Sequence, residues 1–292
     1  MLKPRYKKRC GYIAIIGPTN AGKSTLLNAI LGKKLSIVSR KIQTTRTRIQ
    51  AILTRDNSQL ILIDTPGIFN PKRFKDRSYI KEAFSSLENS DVVVYMVEAN
   101  RGFDNDAYAS LSKMILNQQI IIIINKIDLV KKADLLKLMD NIRDASAQND
   151  IYLISALKND GIRKFLDGLI GKIPERDWEF PLEQATNISD KFLAEEFTRE
   201  KILHLVHKEI PYSVIIETEK WDEKKEREVH IHQNIYVDNS NHKKILIGKA
   251  GDKIKQISMQ ARMDIENYLG KKVHLYLFIK QKKKNTSLEF ME

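Results

Sequence analysis

The sequence has a single cysteine, Cys10, and a lone thiol excludes an internal disulfide. It also lacks cysteine and histidine clusters with the spacing of metal ligands. Apolar runs such as Ile120–Ile124 are short, whereas a membrane-spanning helix needs about 20 apolar residues. The basic N-terminus has neither the apolar stretch nor the cleavage site of a signal peptide. These absences predict a soluble, zinc-free, cytosolic protein.

The composition is that of a folded protein with an uneven positive charge. Apolar residues make up 42% of the 292 residues, charged residues make up 30%, and the net charge is +13. Residues 186–239 hold 8 basic and 12 acidic side chains, whereas residues 241–285 hold 12 basic and 3 acidic ones. The basic stretch predicts a face for an anionic polymer. The alternative is a solvated, lysine-rich surface.

Strands and helices alternate over the first 172 residues. Apolar runs of strand length occur at 12–17, 59–64, 91–98, 120–125 and 151–155, and helical patterns near 78–89, 104–116, 133–147 and 161–172. This order predicts a doubly wound α/β sheet with its ligand at the carboxyl ends of the strands. Only four residues join runs 49–54 and 59–64, so these two must form an antiparallel hairpin in an otherwise parallel, mixed sheet.

The pattern changes after Lys172. A segment with two prolines and no regular period predicts a linker at 177–187, between a first domain at 1–176 and a second at 188–285, with a tail at 286–292. The second domain is predicted to be α+β. Its elements are a helix at 188–208, strands at 212–220 and 228–238, helices at 242–247 and 252–269, and a strand at 272–280.

A phosphate-binding loop follows the first strand. Residues Gly17-Pro18-Thr19-Asn20-Ala21-Gly22-Lys23-Ser24 match G-x-x-x-x-G-K-[ST] between a strand and a helix. The glycines let backbone N–H groups close around phosphate oxygens, and the helix N-terminus adds partial positive charge. Lys23 is predicted to neutralise the β and γ oxygens, and the Ser24 hydroxyl to ligate Mg²⁺.

Three further motifs each follow a predicted strand and together indicate GTP rather than ATP. Asp64-Thr65-Pro66-Gly67 supplies a carboxylate for Mg²⁺ and an amide for the γ-phosphate. Asn125-Lys126-Ile127-Asp128 supplies a carboxylate that can accept from two N–H groups of guanine, which adenine cannot offer. In the same motif, Asn125 is predicted to tie loops together and Lys126 to cover the base.

The last of these motifs is Ser155-Ala156-Leu157, which is predicted to offer the Ala156 amide to the guanine oxygen. Each motif is weak alone, but four in order at strand ends are typical of a GTP-binding domain. At this point the sequence resembles the translation-factor-like GTPases and, within them, the Era family.

The resemblance implies two nucleotide-sensing switches. The segment Lys41–Arg48 is similar to the family's first switch, and 64–77 would be the second. Thr45 aligns with the threonine that joins the Mg²⁺ shell, with Thr44 as the alternative. Both switches should order on the γ-phosphate.

The resemblance also implies slow unaided GTP hydrolysis. The position that holds a water-orienting glutamine in many small GTPases is Ile68 here, and its side chain cannot hydrogen-bond to water. Asn20 matches a P-loop asparagine that coordinates K⁺ in related GTPases; the alternative for Asn20 is a loop-stabilising role. Lys23, Thr45 and Asn20 are therefore the predicted catalytic residues.

The second domain carries a G-x-x-G sequence between two helical patterns. Gly248-Lys249-Ala250-Gly251 is flanked by Lys243, Lys244, Lys253 and Lys255. Glycines allow close approach to a nucleic acid strand, and lysines neutralise its phosphates, as in KH domains. The element order resembles a type II KH domain, and the resemblance to the Era family then covers nearly the whole chain. Gly248, Lys249, Ala250, Gly251, Lys253 and Lys255 are the predicted RNA contacts.

The family resemblance implies a function in ribosome assembly. It predicts a GTP-switched monomer, with GTP or GDP, Mg²⁺ and K⁺ as cofactors, that binds the 3′ end of 16S ribosomal RNA in 30S subunit biogenesis and rRNA processing. The alternatives are a tRNA-modification GTPase, for which the chain has no additional catalytic domain, and a peripheral inner-membrane regulator that uses the basic termini. A metal pair at His230 and His232, on one face of a strand, is less favoured than a polar strand face.

Overall fold

The computed structural model describes residues 7–35, 49–64, 87, 89–114, 118–146, 149–206, 214–225 and 227–282. The chain divides into two compact units, Met1–Asn187 and Ile188–Glu292. Among the residues just given, no helix is long and apolar enough to cross a membrane.

The first unit is built on a six-stranded sheet in the order β2-β3-β1-β4-β5-β6. Its strands are β1 (Arg9–Ile16), β2 (Ile49–Arg55), β3 (Ser58–Asp64), β4 (Val92–Glu98), β5 (Gln119–Asn125) and β6 (Asp150–Leu153). Its described helices are α1 (Lys23–Leu31), α2 (Asn105–Met114), α3 (Lys132–Ala145) and α4 (Ile162–Ile170). Most of the helix predicted at 78–89 lies outside the described residues, although Leu87 is helical and buried.

The sheet is mixed, as the sequence predicts. Strands β1, β3, β4, β5 and β6 pair in parallel, and β2 pairs with β3 in antiparallel fashion. The turn of this hairpin is Asp56-Asn57, where Asp56 has a φ of +53°. Because parallel strands need crossovers, the helices lie on the sheet faces and both faces are buried.

Burial on both sides explains why the central strands are continuous apolar runs. Every residue of β4 is buried. Along β1, Ile13 and Ile15 belong to the core on one side of the sheet, and Ala14 and Ile16 to the core on the other. The sheet therefore holds the carboxyl ends of β1, β3, β4 and β5 in fixed positions at one edge.

The segment predicted as a linker, 177–187, instead packs on the first unit. The backbone N–H of Ile52 in β2 donates to the carbonyl of Ala185 at 2.9 Å, and Thr186 forms an antiparallel bridge with Ala51. The Gln59 amide oxygen accepts from the backbone N–H of Phe180 at 3.0 Å. The segment lies along the outer strand edge, and residues 177–187 belong to the first compact unit.

The second unit is an α+β domain with a three-stranded sheet in the order β7-β8-β9. Its elements are α5 (Asp190–Leu205), β7 (Ile215–Lys225), β8 (Glu228–Val237), α6 (Ser240–Ile247), α7 (Asp252–Leu269) and β9 (Lys272–Gln281). Strand β8 pairs with β7 in antiparallel and with β9 in parallel fashion. This is the predicted helix-strand-strand-helix-helix-strand order, with β7 extending five residues beyond the predicted end at 220.

Side-chain caps and a one-sided core define the second unit. The Ser189 hydroxyl accepts from the N–H of Phe192 and begins α5, and the Asn239 side chain accepts from the N–H of His242 and begins α6. Ile202 of α5 and Ile257 of α7 pack with Ile235 of β8 in the core. One face of the sheet is thus covered by helices.

Candidate nucleotide site and nucleic-acid interface

The phosphate-loop motif forms the turn between β1 and α1. Helix α1 begins at Lys23, and its N-cap residue Gly22 provides no side-chain cap. The Lys23 ammonium is buried and donates to the carbonyls of Gly17 at 3.0 Å and of Pro18 at 2.9 Å. The lysine therefore lies against the loop itself. A helix N-terminus without a side-chain cap, next to an ammonium group, is suited to binding phosphate.

Two positions of the P-loop require glycine, because neighbouring atoms leave no room for a Cβ and because the backbone has a positive φ. Gly17 has a φ of +152° and Gly22 a φ of +100°. A Cβ on Gly17 would collide with the backbone oxygen of Met96 in β4, and one on Gly22 would collide with the Asn125 side chain. Asn20 also lies in the left-handed region, with a φ of +69°. Any larger residue at Gly17 or Gly22 would push the loop away from the sheet.

Asn125, the last residue of β5, joins two loops from distant parts of the chain. Its side-chain N–H donates to the carbonyl of Ala21 at 2.7 Å, and its side-chain oxygen accepts from the N–H of Ala156 at 3.0 Å. Asn125 is only 2% exposed, so both bonds are shielded from water. The predicted tie between loops is present in the structure.

The hydrogen bond between Ala156 and Asn125 changes the prediction for the donor to the guanine oxygen. The Ala156 amide, predicted as the donor to the guanine oxygen, is already bonded to Asn125. The next amide, that of Leu157, has no acceptor among the residues that the structure describes, and the Leu157 side chain is exposed. Ser155 is buried, and its hydroxyl accepts from the N–H of Lys158 at 3.2 Å.

Lys126 has a charged partner that the sequence analysis missed. Its ammonium lies 2.5 Å from Glu98 Oε2, and Glu98, the last residue of β4, is 2% exposed. The guanidinium of Arg101 lies 3.2 Å from the other oxygen of Glu98. A carboxylate at the end of an otherwise apolar strand was the available signal. Lys126 itself has a φ of +64°.

Asp128 lies in a short 3₁₀ turn, Ile127–Leu129, immediately after this lysine. Asp128 is exposed at the same sheet edge as the P-loop and Ser155. The structure therefore brings together the P-loop, the Asn-Lys-x-Asp motif and the Ser-Ala-Leu loop. Of the remaining predicted nucleotide residues, Asp64 ends β3. Thr44, Thr45, Thr65, Pro66, Gly67 and Ile68 lie outside the described residues.

The G-x-x-G sequence of the second unit forms a tight turn between α6 and α7. Gly248 has a φ of +72°, Gly251 a φ of +81° and Ala250 a φ of +52°. A Cβ on Gly248 would lie 2.6 Å from Lys253 Cβ, so a larger residue cannot fit there without a shift. A Cβ on Gly251 would meet nothing within 4 Å. The outer side of the turn is thus open to a ligand.

Lysines surround this turn. Lys243, Lys244, Lys249 and Lys255 are exposed, and Lys253 is half-buried. None of these five forms an ion pair with any residue in the described part of the second unit. Uncompensated ammonium groups beside an open N-terminal helix turn favour a polyanion.

Both units of the chain are similar to known proteins. Residues 12–126 match the family described as 50S ribosome-binding GTPase, and residues 209–286 match the KH domain family. GTPase Era of Agrobacterium fabrum is 42% identical over 273 residues, which are 93% of this chain and 86% of that protein. GTPase Era of Sinorhizobium medicae is 41% identical, with 93% and 88% covered. The chain belongs to the Era family of GTPases.

Solved Era structures have the same fold over nearly the full length. An Era variant from Aquifex aeolicus bound to GDP and AlF₄⁻ matches with a TM-score of 0.85 at 35% identity, over 94% of this chain and 95% of that one. Era in complex with MgGDPNP and nucleotides 1506–1542 of 16S ribosomal RNA also matches with a TM-score of 0.85 at 35% identity, over 95% of both chains. The chain is therefore a P-loop GTPase with a C-terminal KH domain.

Proposed function

We propose that this Era-family GTPase is a GTP-dependent switch whose KH domain binds the 3′ end of 16S ribosomal RNA during 30S subunit assembly. One observation carries the proposal. A single chain holds both the guanine-nucleotide loops and an open, lysine-flanked G-x-x-G turn, and an Era of the same fold binds that segment of RNA.

The phosphate groups would be held by the P-loop. We infer that the Lys23 ammonium moves from the carbonyls of Gly17 and Pro18 to the β and γ oxygens, because a phosphate offers a full negative charge where a carbonyl offers a dipole. Backbone N–H groups of the loop and of the first turn of α1 would donate to the phosphates.

Magnesium fits the donor set beside this loop. Ser24 and Asp64 would hold Mg²⁺, with Thr45 or Thr44 joining them, since hydroxyl and carboxylate oxygens are its preferred ligands. Bound Mg²⁺ would neutralise charge on the β and γ oxygens. Ser24 lies in the first turn of α1 and Asp64 ends the neighbouring β3.

The base would be selected by the Asn-Lys-x-Asp motif. The Asp128 carboxylate accepts two N–H groups of guanine, and an adenine would leave it unpaired. The Lys126 stem covers one face of the base, and the ion pair with Glu98 keeps it there. We assign the donor to the guanine oxygen to the Leu157 amide, because the Ala156 amide is bonded to Asn125.

Hydrolysis would be slow without a further positive charge. Ile68 offers no hydrogen bond to the attacking water, and no general base is assigned. We propose that K⁺, held in part by the exposed Asn20 side chain, offsets charge that develops in the transition state. Turnover should then be faster in KCl than in NaCl, and equal turnover would contradict the role of K⁺.

In the KH domain, the turn Gly248–Gly251 would contact the sugar–phosphate backbone. Lys249, Lys253 and Lys255 would neutralise phosphates, and the open space beside Gly251 leaves room for the RNA strand. We propose that GTP orders the two switches and changes the affinity of this domain for RNA. Hydrolysis would then release the assembled particle.

Cross-linking to total cellular RNA followed by sequencing tests this proposal. The protein is loaded with GDPNP or GDP. Gly248→Asp shifts the turn, because its Cβ would lie 2.6 Å from Lys253 Cβ, and it places a carboxylate against the phosphates. Gly270→Asp is the matched control, because Gly270 also has a positive φ, of +64°, but ends α7 in open space. We expect reads at the 16S 3′ end with GDPNP that Gly248→Asp removes and Gly270→Asp retains. Diffuse reads that do not respond to nucleotide or to Gly248→Asp would overturn it.

We propose that the protein acts as a cytoplasmic monomer and that any association with the inner membrane is peripheral. A membrane regulator is less favoured as the main function, because the solved relative with a bound polymer holds RNA. Stimulation of GTP hydrolysis by acidic liposomes and not by RNA would reverse that preference.

A further inference from the structure

The sheet of the second unit has one face that neither the nucleotide site nor the G-x-x-G turn uses. Alternate residues of β8 and β9 point to opposite sides. Val229, Ile231 and Val273 are buried on the side covered by helices. Between them, Glu228, His230 and His274 lie on the other side, and each is half-buried. Two imidazoles and a carboxylate therefore share one small area of this face.

The register of β8 and β9 places these three side chains together. His230 is the direct strand partner of His274, and their rings stack with centroids 4.5 Å apart. Glu228 Oε1 lies 2.6 Å from His274 Nε2 and 3.8 Å from His230 Nε2. One ligand atom from each residue lies within 4.8 Å of the others. Both imidazole Nε2 atoms thus face the same carboxylate oxygen.

We propose that Glu228, His230 and His274 form a binding site for a divalent transition-metal ion of the Zn²⁺ type. Two imidazoles and one carboxylate are a known zinc ligand set, in which water completes the tetrahedron. Mg²⁺ and Ca²⁺ prefer oxygen ligands, so this set favours Zn²⁺ over both. The site would overturn the expectation of a zinc-free protein, which considered only ligands close in sequence.

The strands hold the ligands in place before any ion binds. Parallel strands β8 and β9 pair along their whole length, from Glu228 opposite Lys272 to Val237 opposite Gln281. Ring contacts continue on this face from His232 to Tyr276, with centroids 4.6 Å apart and planes tilted by 34°, which further restricts the rings. An ion bound across the two strands would join them and so stabilise the folded unit.

One nearby cation and one hydrogen bond must give way when the ion binds. Lys272 Nζ lies 4.0 Å from Glu228 Oε1, and its side chain is 69% exposed, so it can move into solvent. The hydrogen bond between His274 Nε2 and Glu228 must give way to two metal bonds.

The test is a titration of tag-free, full-length protein with Zn²⁺ by calorimetry, in the presence of GDP and Mg²⁺ so that the nucleotide site is filled. A titration with Co²⁺ adds an absorption spectrum that reports four-coordinate geometry. We expect one ion per chain. His274→Phe keeps a ring for stacking but removes the nitrogen, and Glu228→Gln removes the charge. Each should raise the dissociation constant by at least about tenfold, since even outer-shell partners contribute 10–100-fold.

His232→Phe is the matched control, because His232 lies on the same face and its ring contacts that of Tyr276, but it lies outside the trio. It should leave the affinity for Zn²⁺ unchanged. Zn²⁺ should also raise the melting temperature of the wild-type protein and of His232→Phe, but not that of Glu228→Gln. Absence of binding would overturn the proposal. So would binding that survives His274→Phe and Glu228→Gln, or binding that His232→Phe abolishes equally.

Discussion

The Lys126 ammonium lies 2.5 Å from the carboxylate of Glu98, a side chain that is only 2% exposed. Glu98 is the last residue of β4, and Lys126 directly follows the last residue of the neighbouring strand β5. A lysine anchored in this way presents its aliphatic stem in a fixed position. The base-covering role proposed for Lys126 therefore depends on Glu98 as a positioning residue.

Glu98→Gln should weaken the binding of guanine nucleotides by about tenfold, which corresponds to about 1.4 kcal/mol. The amide cannot hold the ammonium as strongly as the carboxylate does. Titration with a fluorescent GDP analogue measures the effect. Arg101→Gln is the control, because the Arg101 side chain is 59% exposed and a pair of this kind contributes little. Equal affinities of wild type and Glu98→Gln for the GDP analogue would contradict the positioning role of Glu98.

Asp128→Asn should transfer the preference of the site from guanine to xanthine. Guanine offers two N–H donors to the carboxylate, whereas xanthine has a carbonyl where guanine has its amine, and an asparagine can donate to it. We expect the affinity for GTP to fall by roughly 10² or more, as it does when a bound ligand leaves a polar group of its site unpaired. The affinity for XTP should rise. Competition titrations with GTP, XTP and ATP measure the change. Loss of all three nucleotides together would indicate unfolding instead of altered recognition.

Gly22→Ala should disrupt the tie between the P-loop and Asn125. Gly22 has a φ of +100°, and its new Cβ would strike the Asn125 side chain that donates to Ala21. We expect the affinity for GDP to fall at least about tenfold. Gly32→Ala is the control, since Gly32 has a φ of +64° and open space around it. That variant should lose about 1–2 kcal/mol of stability and keep its affinity.

Asp264→Asn should destabilise the second unit through Lys201. The Lys201 ammonium lies 2.6 Å from Asp264 and 3.4 Å from the buried Glu200. We expect a loss of about 1–2 kcal/mol in the free energy of unfolding, as for a charged hydrogen bond that is partly shielded. Chemical denaturation measures it. Asp238→Asn, which breaks the exposed pair with Lys282, should change stability by less than about 0.5 kcal/mol.

The same ion pair sets a pH dependence. Burial lowers the pKa of Lys201, but the hydrogen bond to Asp264 and the charges of Glu200 and Asp264 outweigh it and raise the pKa above 10.5. The folded state thus holds its proton more tightly than the unfolded state does. The pair contributes its full stability below pH 10.5, and the contribution is lost as pH rises through the folded pKa. Asp264→Asn should show a smaller alkaline loss than wild type, and an identical loss would contradict this assignment.

The sequence predicts most of the fold because strand ends and motifs coincide. Apolar runs that stop at Gly17, Asp64 and Asn125 identify buried parallel strands, and the short link at Asp56 identifies the hairpin. The G-x-x-G turn is likewise recognisable from two glycines between helical patterns. Local patterns suffice here because each element is specified by residues close together in the chain.

Contacts between distant segments account for what the sequence does not predict. The segment 177–187 has no strand period, yet its backbone pairs with the edge of β2, as at Ala185 and Ile52. Glu98 and Lys126 meet only because β4 and β5 are neighbours. The register of β8 against β9 gives His230 its partner His274. Strand neighbours and register depend on tertiary packing, which a single sequence does not display.

The central claim is that GTP controls RNA binding by the KH domain. The most direct measurement is fluorescence anisotropy of a labelled RNA with the 16S 3′-end sequence, titrated with the same protein in GDPNP and in GDP. We predict tighter binding with GDPNP, by about 5–150-fold as for typical coupled sites, and loss of binding in Gly248→Asp. Equal affinities in the two nucleotides would contradict the account.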